Sequence, residues 1–389
     1  MDFRISEVAE ELRSAVQAFL EEQITEELEE RVYRTGVSHD EGFSHALSEQ
    51  GWMAPGWPVE LGGQGRGPLE TLALHEELRF VDAPTYAIGT SMMVATVVRE
   101  AGTEEQQREL IPKVLAGDIV IVLGFTEPEV GSDLAAASCK AVRDGDQWVI
   151  NGQKMFTTNA HVADYVFLVT RTNTEVPKHK GITMFVVPMD QAGVEVQAVY
   201  TLSGERTNIV FFNDVHVDDA WRIGDVDRGW ETLTVALAAE HGAAFSPAIR
   251  RLLASIETWA TETSTPEGGT PLDDPDVREL VGRTATSFEV SQLLQRRVAW
   301  MGAEDIPVER AESSMAKLFS SEALEARAQE ACETVGPDAL RSYFDPTAPV
   351  NGMIEHLRRF SLGTTIYAGT SEVHRNMIAQ RGLGLPRSK

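Results

Sequence analysis

Cysteine is scarce in this chain: Cys139 and Cys332 are the only two among 389 residues, and neither belongs to a Cys-x-x-Cys pair or a histidine cluster. That excludes a disulfide scaffold and a structural zinc site, and it suits a reducing cytoplasm. Basic charge is short too. Lys and Arg number 34 against 60 Asp and Glu, a net charge of −26, so the chain lacks the positive surface that displaces counterions from nucleic acid. No nucleic-acid partner is expected, and the acidic excess reads as a solvated surface. Nor is there a continuous apolar run of membrane-spanning length. The first residues, MDFRISEVAEELRSAVQAFLEEQ, alternate apolar and acidic groups at helical spacing without a basic leader, so neither a signal peptide nor a membrane partner is expected. The nine histidines show no His-Glu-x-x-His spacing and the chain has no Gly-x-Ser-x-Gly elbow, which argues against a metal site and a serine hydrolase.

What is present is enough apolar residue, 42%, to bury a large core over two or three subdomains. Up to about Leu115 the apolar positions recur at three and four, as in Val8, Leu12, Val16, Phe19 and Leu20, the period of helices. Thr103 and Gln106 have capping-box spacing, and Ile111-Pro112 is expected to lead the chain out toward a sheet. The glycines from Leu61 to Gly67 read as a plain loop, because no strand precedes them and no Gly-Lys-Ser/Thr follows. From Ile119 to about Asp225 short alternating runs take over: Trp148 to Ile150, Tyr165 to Thr170, Ile182 to Val187, Val194 to Val199 and Ile209 to Val217. Their spacing predicts an antiparallel sheet or small barrel, with Asn151-Gly152 as a hairpin turn. From Gly229 the helical period returns, broken around Thr263 to Pro275. The reading is an α+β chain with an N-terminal helical domain over 1–118, a central β domain over 119–226 and a C-terminal helical domain over 227–389.

Ile121 to Asn159 is the densest stretch. It reads IVLGFTEPEVGSDLAAASCKAVRDGDQWVINGQKMFTTN, and its hydroxyls and amide suit a flat ring with many hydrogen-bonding edges. Thr-Glu-Pro, Gly-Ser-Asp and Phe-Thr-Thr-Asn fall within it. Near the C-terminus Ile366 to Glu372 reads IYAGTSE. Three such segments in this order resemble the acyl-CoA dehydrogenases, whose flavin-contacting segments run close to TEPxxGSD, NGxKxxITN and IYEGTSE. The resemblance covers essentially the whole chain. It implies an N-terminal helical domain, a central β-barrel or sheet, a C-terminal four-helix bundle, bound FAD and an acyl-CoA substrate.

Residue by residue, the resemblance places Phe125, Thr126, Ser132, Phe156, Thr158, Tyr367, Gly369, Thr370 and Glu372 around FAD. Phe156 replaces the family's tryptophan, and Glu129 and Val130 replace Gly-Ala in its EPGAGSD. Ser132, Ala368, Met92 and Leu237 are assigned to the substrate. Taken alone, Met and aliphatic residues at helical spacing between Ala83 and Ala101 are more often ordinary core. Ala368 stands where many members carry the catalytic glutamate, while the backbone N–H that meets the thioester oxygen in the family belongs to the same residue. The base is therefore sought on the helix matching Gly229 to Trp259, where some members carry it. Glu240 lies there in register with Leu233, Ala236, Leu237 and Ala244, and a carboxylate on an apolar stripe is costly unless paired or used. A partner such as His241 or Arg250 is the alternative account.

The family's RxxFG and QxxGGxG segments cradle the FAD diphosphate of a neighbouring subunit. Here the first gives way to Thr263 to Asp274, without an arginine, and the second reads Glu333-Thr334-Val335-Gly336-Pro337-Asp338-Ala339. Acidic groups and a proline suit an anion poorly. The expectation is a hetero-oligomer with a related subunit, a homo-oligomer with a different cradle being the alternative. Electron-transfer flavoprotein is the electron acceptor the family implies. A non-catalytic partner subunit and a carrier-protein thioester substrate are the rival functional readings.

Overall fold

The computed structural model describes residues 6–240, 245–266, 268–306 and 310–386, the side chains of 238–240 and 310 excepted. Six helices come first: α1 (Glu7–Gln23), α2 (Glu26–Thr35), α3 (Glu41–Glu49), α4 (Pro68–Phe80), α5 (Tyr86–Ala101) and α6 (Glu104–Ala116). Eight strands follow: β1 (Ile121–Gly124), β2 (Lys140–Asp144), β3 (Gln147–Lys154), β4 (Tyr165–Arg171), β5 (Ile182–Pro188), β6 (Val194–Tyr200), β7 (Arg206–Asp218) and β8 (Arg222–Ile223). The chain ends in α7 (Gly229–Glu240), α8 (Ser246–Glu262), α9 (Pro275–Ala303), α10 (Arg310–Val335), α11 (Met353–Thr364) and α12 (Ser371–Met377). Helices, sheet and helices thus follow one another as the sequence pattern implies.

Local chemistry explains several boundaries. The Thr103 and Gln106 capping box forms with both bonds, at 2.9 and 3.3 Å, and the Gln106 amide also donates to the Ala220 and Arg222 carbonyls beside the sheet. Pro112 does not end that helix. α6 continues to Ala116 and stops at Gly117, whose φ of 80° closes the left-handed cap. Leu110 and Val114 are fully buried on either side, and their burial outweighs the backbone bond that proline deletes. The expected helix from Gly229 to Trp259 is described as two pieces, and α8 restarts at Ser246 with Pro247 in its first turn, where a missing N–H costs nothing.

The sheet runs in the order β6-β7-β3-β2-β4-β5-β8, with β1 beside β4. Most pairings are antiparallel, but β1 and β4 run parallel and β2 touches β4 in parallel at Lys140. The long excursion from Phe125 through β2 and β3 lets the chain return in the same direction. Asn151-Gly152 is not the hairpin turn. That turn lies at Gly145-Asp146, between the paired Asp144 and Gln147, while Asn151 and Gly152 sit within β3 at a break in register against β7. Gly152 has φ 148°, and a Cβ there would lie 2.8 Å from the Cys139 Cα. Close backbone approach, not chain reversal, requires this glycine.

One sheet face packs against α5, α6 and α7 through Val94, Val97, Phe125, Phe167, Met184 and Leu233. The other closes over Trp148, Ile150, Val166, Phe185 and Phe212. Helices α8 to α11 form the bundle around Ile249, Leu252, Ile256, Leu280, Leu324 and Leu357.

A buried ion pair joins the ends of β1 and β3. Lys154 Nζ donates to Glu127 Oε1 at 2.7 Å, both side chains being almost wholly buried, and to the Phe125 carbonyl at 3.3 Å. Glu127 also accepts from the Ser138 N–H and hydroxyl and from the Cys139 N–H. Burial pushes its carboxyl up, yet the Lys154 ammonium and these donors hold it below the usual range. Its contribution to stability is therefore complete above the ordinary carboxylate pKa and lost as pH falls through the lowered folded value. Lys154→Met leaves Glu127 buried without its countercharge and is expected to destabilise the fold by about 3–5 kcal/mol in chemical denaturation, with part recovered on adding Glu127→Gln.

Candidate functional site

The first two motifs meet because of this pair. Phe125 and Thr126 leave β1 as Met155 leaves β3, and the Met155 N–H donates to the Thr126 carbonyl at 2.8 Å. Phe156 follows at φ 59° with its ring 55% exposed, a conformation that costs a non-glycine residue about 1 kcal/mol or more. The next turn is fixed to β7: the Thr157 N–H donates to the Asn208 carbonyl at 2.9 Å, the Asn208 amide returns a bond to the Thr157 carbonyl, and the Thr158 hydroxyl donates to Thr207 at 3.2 Å. Phe125 is buried against Phe167 with ring centroids 6.0 Å apart. A flat face and hydroxyls thus stand together at one rim of the sheet. Beside them Glu127 and Val130 close a tight turn with paired backbone bonds. Val130 is buried, so this departure from the family pattern points inward, while Glu129 and Ser132 are exposed.

The third motif is a loop held from below. Lys317 Nζ donates to the Gly369 carbonyl at 2.5 Å, and His374 Nε2 donates to the Ala368 carbonyl at 3.0 Å. Thr370 caps α12 by accepting from the Val373 N–H, and Glu372 is exposed in its first turn. Ala368 and Gly369 both have positive φ, 53° and 86°. With both carbonyls engaged, the Ala368 N–H has no acceptor among the described residues. Tyr367 packs edge-on against Phe245, which leads into α8, with centroids 5.9 Å apart.

Helix α5 links the motifs. Met92 and Leu237 are partly buried against the apolar cluster that contains Phe125 and Leu233, and Tyr86, at the start of α5, lies within electrostatic reach of Tyr367. Glu240 is the last residue of α7, and its side chain, like all of His241, lies outside the described residues. Arg250 is engaged elsewhere: it pairs with Glu77 at 2.8 Å and stacks over Phe80 at 4.0 Å. The sequence reading missed the Glu127–Lys154 clamp and the Lys317 and His374 supports. None of these spans a recognisable spacing, so only the folded chain reveals them.

This geometry can be set beside known proteins. The middle-domain model of acyl-CoA dehydrogenase matches residues 122–220, the C-terminal model 227–383 and the N-terminal model 6–118. Acyl-CoA dehydrogenase FadE26 of Mycobacterium tuberculosis is 35% identical over 392 residues, covering 97% of each chain. The chain belongs to the acyl-CoA dehydrogenase family. FadE29 of the same organism is 35% identical over 350 residues, 88% of this chain and 87% of that one. Among solved structures, a chain of the ChsE4-ChsE5 complex from M. tuberculosis superimposes with a TM-score of 0.90 at 32% identity, each chain fully covered. The Tcur3481-Tcur3483 steroid ACAD gives the same values.

Family membership makes this an FAD-dependent acyl-CoA dehydrogenase. The residues present fit the cofactor: the exposed Phe156 ring offers a plane and Thr158 a hydroxyl at the same rim. No described helix is long and apolar enough to cross a membrane, and no group of His, Cys, Asp and Glu among the described residues is placed to hold a metal ion. Thr158→Val removes one candidate hydrogen bond while keeping the side-chain volume. It is expected to weaken FAD binding by about fivefold, the worth of roughly 1 kcal/mol, measurable by titrating apoprotein with FAD and following flavin fluorescence.

Proposed function

We propose that this chain is the catalytic subunit of a heteromeric acyl-CoA dehydrogenase that converts a bulky, ring-bearing acyl-CoA, of the steroid side-chain kind, to its trans-2-enoyl thioester. The observation that carries this reading is the loop at Ala368. It offers an N–H without a described acceptor to the thioester oxygen but no carboxylate. Glu240, at the end of α7 on the apolar stripe of Leu233, Ala236 and Leu237, is the base in this reading.

The Ala368 N–H meets the negative charge that develops on the thioester oxygen as Cα loses its proton. Glu240 takes that proton as general base. When bound, FAD supplies the acceptor for the hydride that leaves Cβ. Phe125, Thr126, Ser132, Phe156, Thr158, Tyr367, Gly369, Thr370 and Glu372 are the residues proposed to hold the cofactor, with Ser132, Ala368, Met92 and Leu237 on the substrate. A methyl at 368 in place of a carboxyl leaves room beside Cα for a ring or branch.

Heteromeric assembly is supported by the C-terminal side. The loop from Thr263 to Asp274 contains no arginine and is closed on itself by Thr265 with Gly269 and by the reciprocal Thr270 and Asp273 bonds. Asp338 pairs with Arg341 at 3.0 Å beside Pro337. Neither segment resembles a diphosphate cradle, and two similar structures are named as two-component assemblies. In this reading the chain works in the cytoplasm in steroid side-chain breakdown and passes its electrons to an electron-transfer flavoprotein.

Glu240→Gln is expected to keep FAD and fold while slowing flavin reduction by acyl-CoA by roughly a hundredfold or more. Stopped-flow bleaching of the flavin measures it, and an undiminished rate removes Glu240 from the mechanism and reopens the partner-subunit reading. Expressed alone, the chain is expected to retain less than one FAD per protomer. A yellow homotetramer with full flavin, by absorbance and light scattering, overturns the heteromeric assembly.

A further inference from the structure

The loop at Ala368 rests on a buried polar face of α10. Ser313, Ser314, Lys317, Ser320 and Ser321 recur there at helical spacing, and each is at most 8% exposed, where a helix in a bundle ordinarily carries aliphatic groups. An ammonium held out of water is costly unless it is bonded, and Lys317, 2% exposed, donates to the Gly369 carbonyl at 2.5 Å. One turn on, the Ser320 hydroxyl accepts the Phe245 N–H at 3.0 Å. The Phe245 ring is the one that packs edge-on against Tyr367. The same face of α10 thus reaches the loop on both sides of the Ala368 N–H.

His374 adds a support from α12. It is 3% exposed, and its Nε2–H donates to the Ala368 carbonyl at 3.0 Å. Gly369 has φ 86°, and a Cβ there would lie 2.8 Å from that nitrogen, so only glycine lets the ring come this close. Before the loop, the Ile366 and Tyr367 N–H groups both donate to the Gly363 carbonyl, at 2.9 and 3.1 Å; after it, the Ser371 N–H donates to the Thr365 carbonyl at 3.0 Å. Between these ties Ala368 has φ 53°, a conformation that a non-glycine residue keeps only when its surroundings hold it. That dihedral sets the 367–368 peptide, with its N–H, against the two peptides that Lys317 and His374 hold. Releasing either carbonyl frees φ to relax and turns the N–H.

We propose that Lys317 and His374 are positioning residues for the dehydrogenation: by holding the two carbonyls that follow it, they keep the Ala368 N–H aimed at the thioester oxygen. Each acts through the loop backbone. The inference rests on the reading above of that N–H as the oxygen's donor. Loss of either support leaves the acyl-CoA bound but its oxygen less well met as Cα loses its proton, so the effect falls on the transition state.

The test uses the FAD-loaded enzyme in its native oligomer with 4-(dimethylamino)cinnamoyl-CoA, a ring-bearing thioester whose absorption moves to the red as its carbonyl oxygen is hydrogen-bonded. The probe is already an enoyl ester and is not dehydrogenated, so its shift reads the N–H and not Glu240. Lys317→Met and His374→Leu are each expected to lose about half or more of the bound probe's red shift, and kcat for a steroid side-chain CoA ester should fall about tenfold while KM changes less than about twofold. His374→Gln, which keeps an amide donor for the Ala368 carbonyl, should restore most of both. A merely structural role lowers the melting temperature and leaves the bound probe's shift intact. A full shift in the folded, FAD-loaded Lys317→Met and His374→Leu variants overturns the inference, as does an equal loss in His374→Gln and His374→Leu; where Lys317→Met does not fold, the two His374 variants decide. Absence of any red shift on the wild-type enzyme overturns instead the reading of the Ala368 N–H as the oxygen's donor, and the inference with it.

Discussion

The buried Glu127–Lys154 pair is the constraint on which the cofactor rim depends. Two charges removed from water stay buried only if nearly every polar valence is met, and here the carboxylate accepts from Lys154, Ser138 and Cys139 while the ammonium donates to Glu127 and to the Phe125 carbonyl. Those bonds fix the last residue before Thr126 relative to the last residues of β3. Phe156 can then hold a left-handed backbone and an exposed ring, because the chain on both sides is anchored, to Thr126 before it and to Asn208 after it. Strain at a functional position persists when its surroundings over-determine it.

The loop at Ala368 follows the same logic with different chemistry. Lys317 and His374 occupy the carbonyls of Gly369 and Ala368, so the two peptides that follow the Ala368 N–H are held from beneath while that N–H keeps no acceptor among the described residues. A donor prepared in this way costs no reorganisation when charge develops on the substrate. In the proposed mechanism the N–H lies on this loop and the carboxylate on α7, two groups that the family's usual arrangement places on one residue.

The C-terminal bundle both packs its own core and ties the other elements to it. Its apolar core holds α8 to α11 together, while Arg250 and Arg251 on α8 and His356 and Arg359 on α11 reach outward to α4, to Asp82 and to the β6–β7 tip. Long cationic side chains thus bridge elements of three domains.

The sequence by itself determined the order of helices, sheet and helices, because periods of 3.6 and 2 residues are written locally. It also determined the family, through three short motifs and the single departure at Ala368, and the capping box at Thr103 and Gln106. Tertiary structure decided what depends on distant partners. Asn151-Gly152 carries the local signature of a hairpin, yet close contact with Cys139 makes it a bulge. Ile111-Pro112 looks like a helix end, yet burial of Leu110 and Val114 carries the helix through. Glu127 and Lys154 stand 27 residues apart in sequence, and only the fold, by excluding water from both, turns them into one interaction.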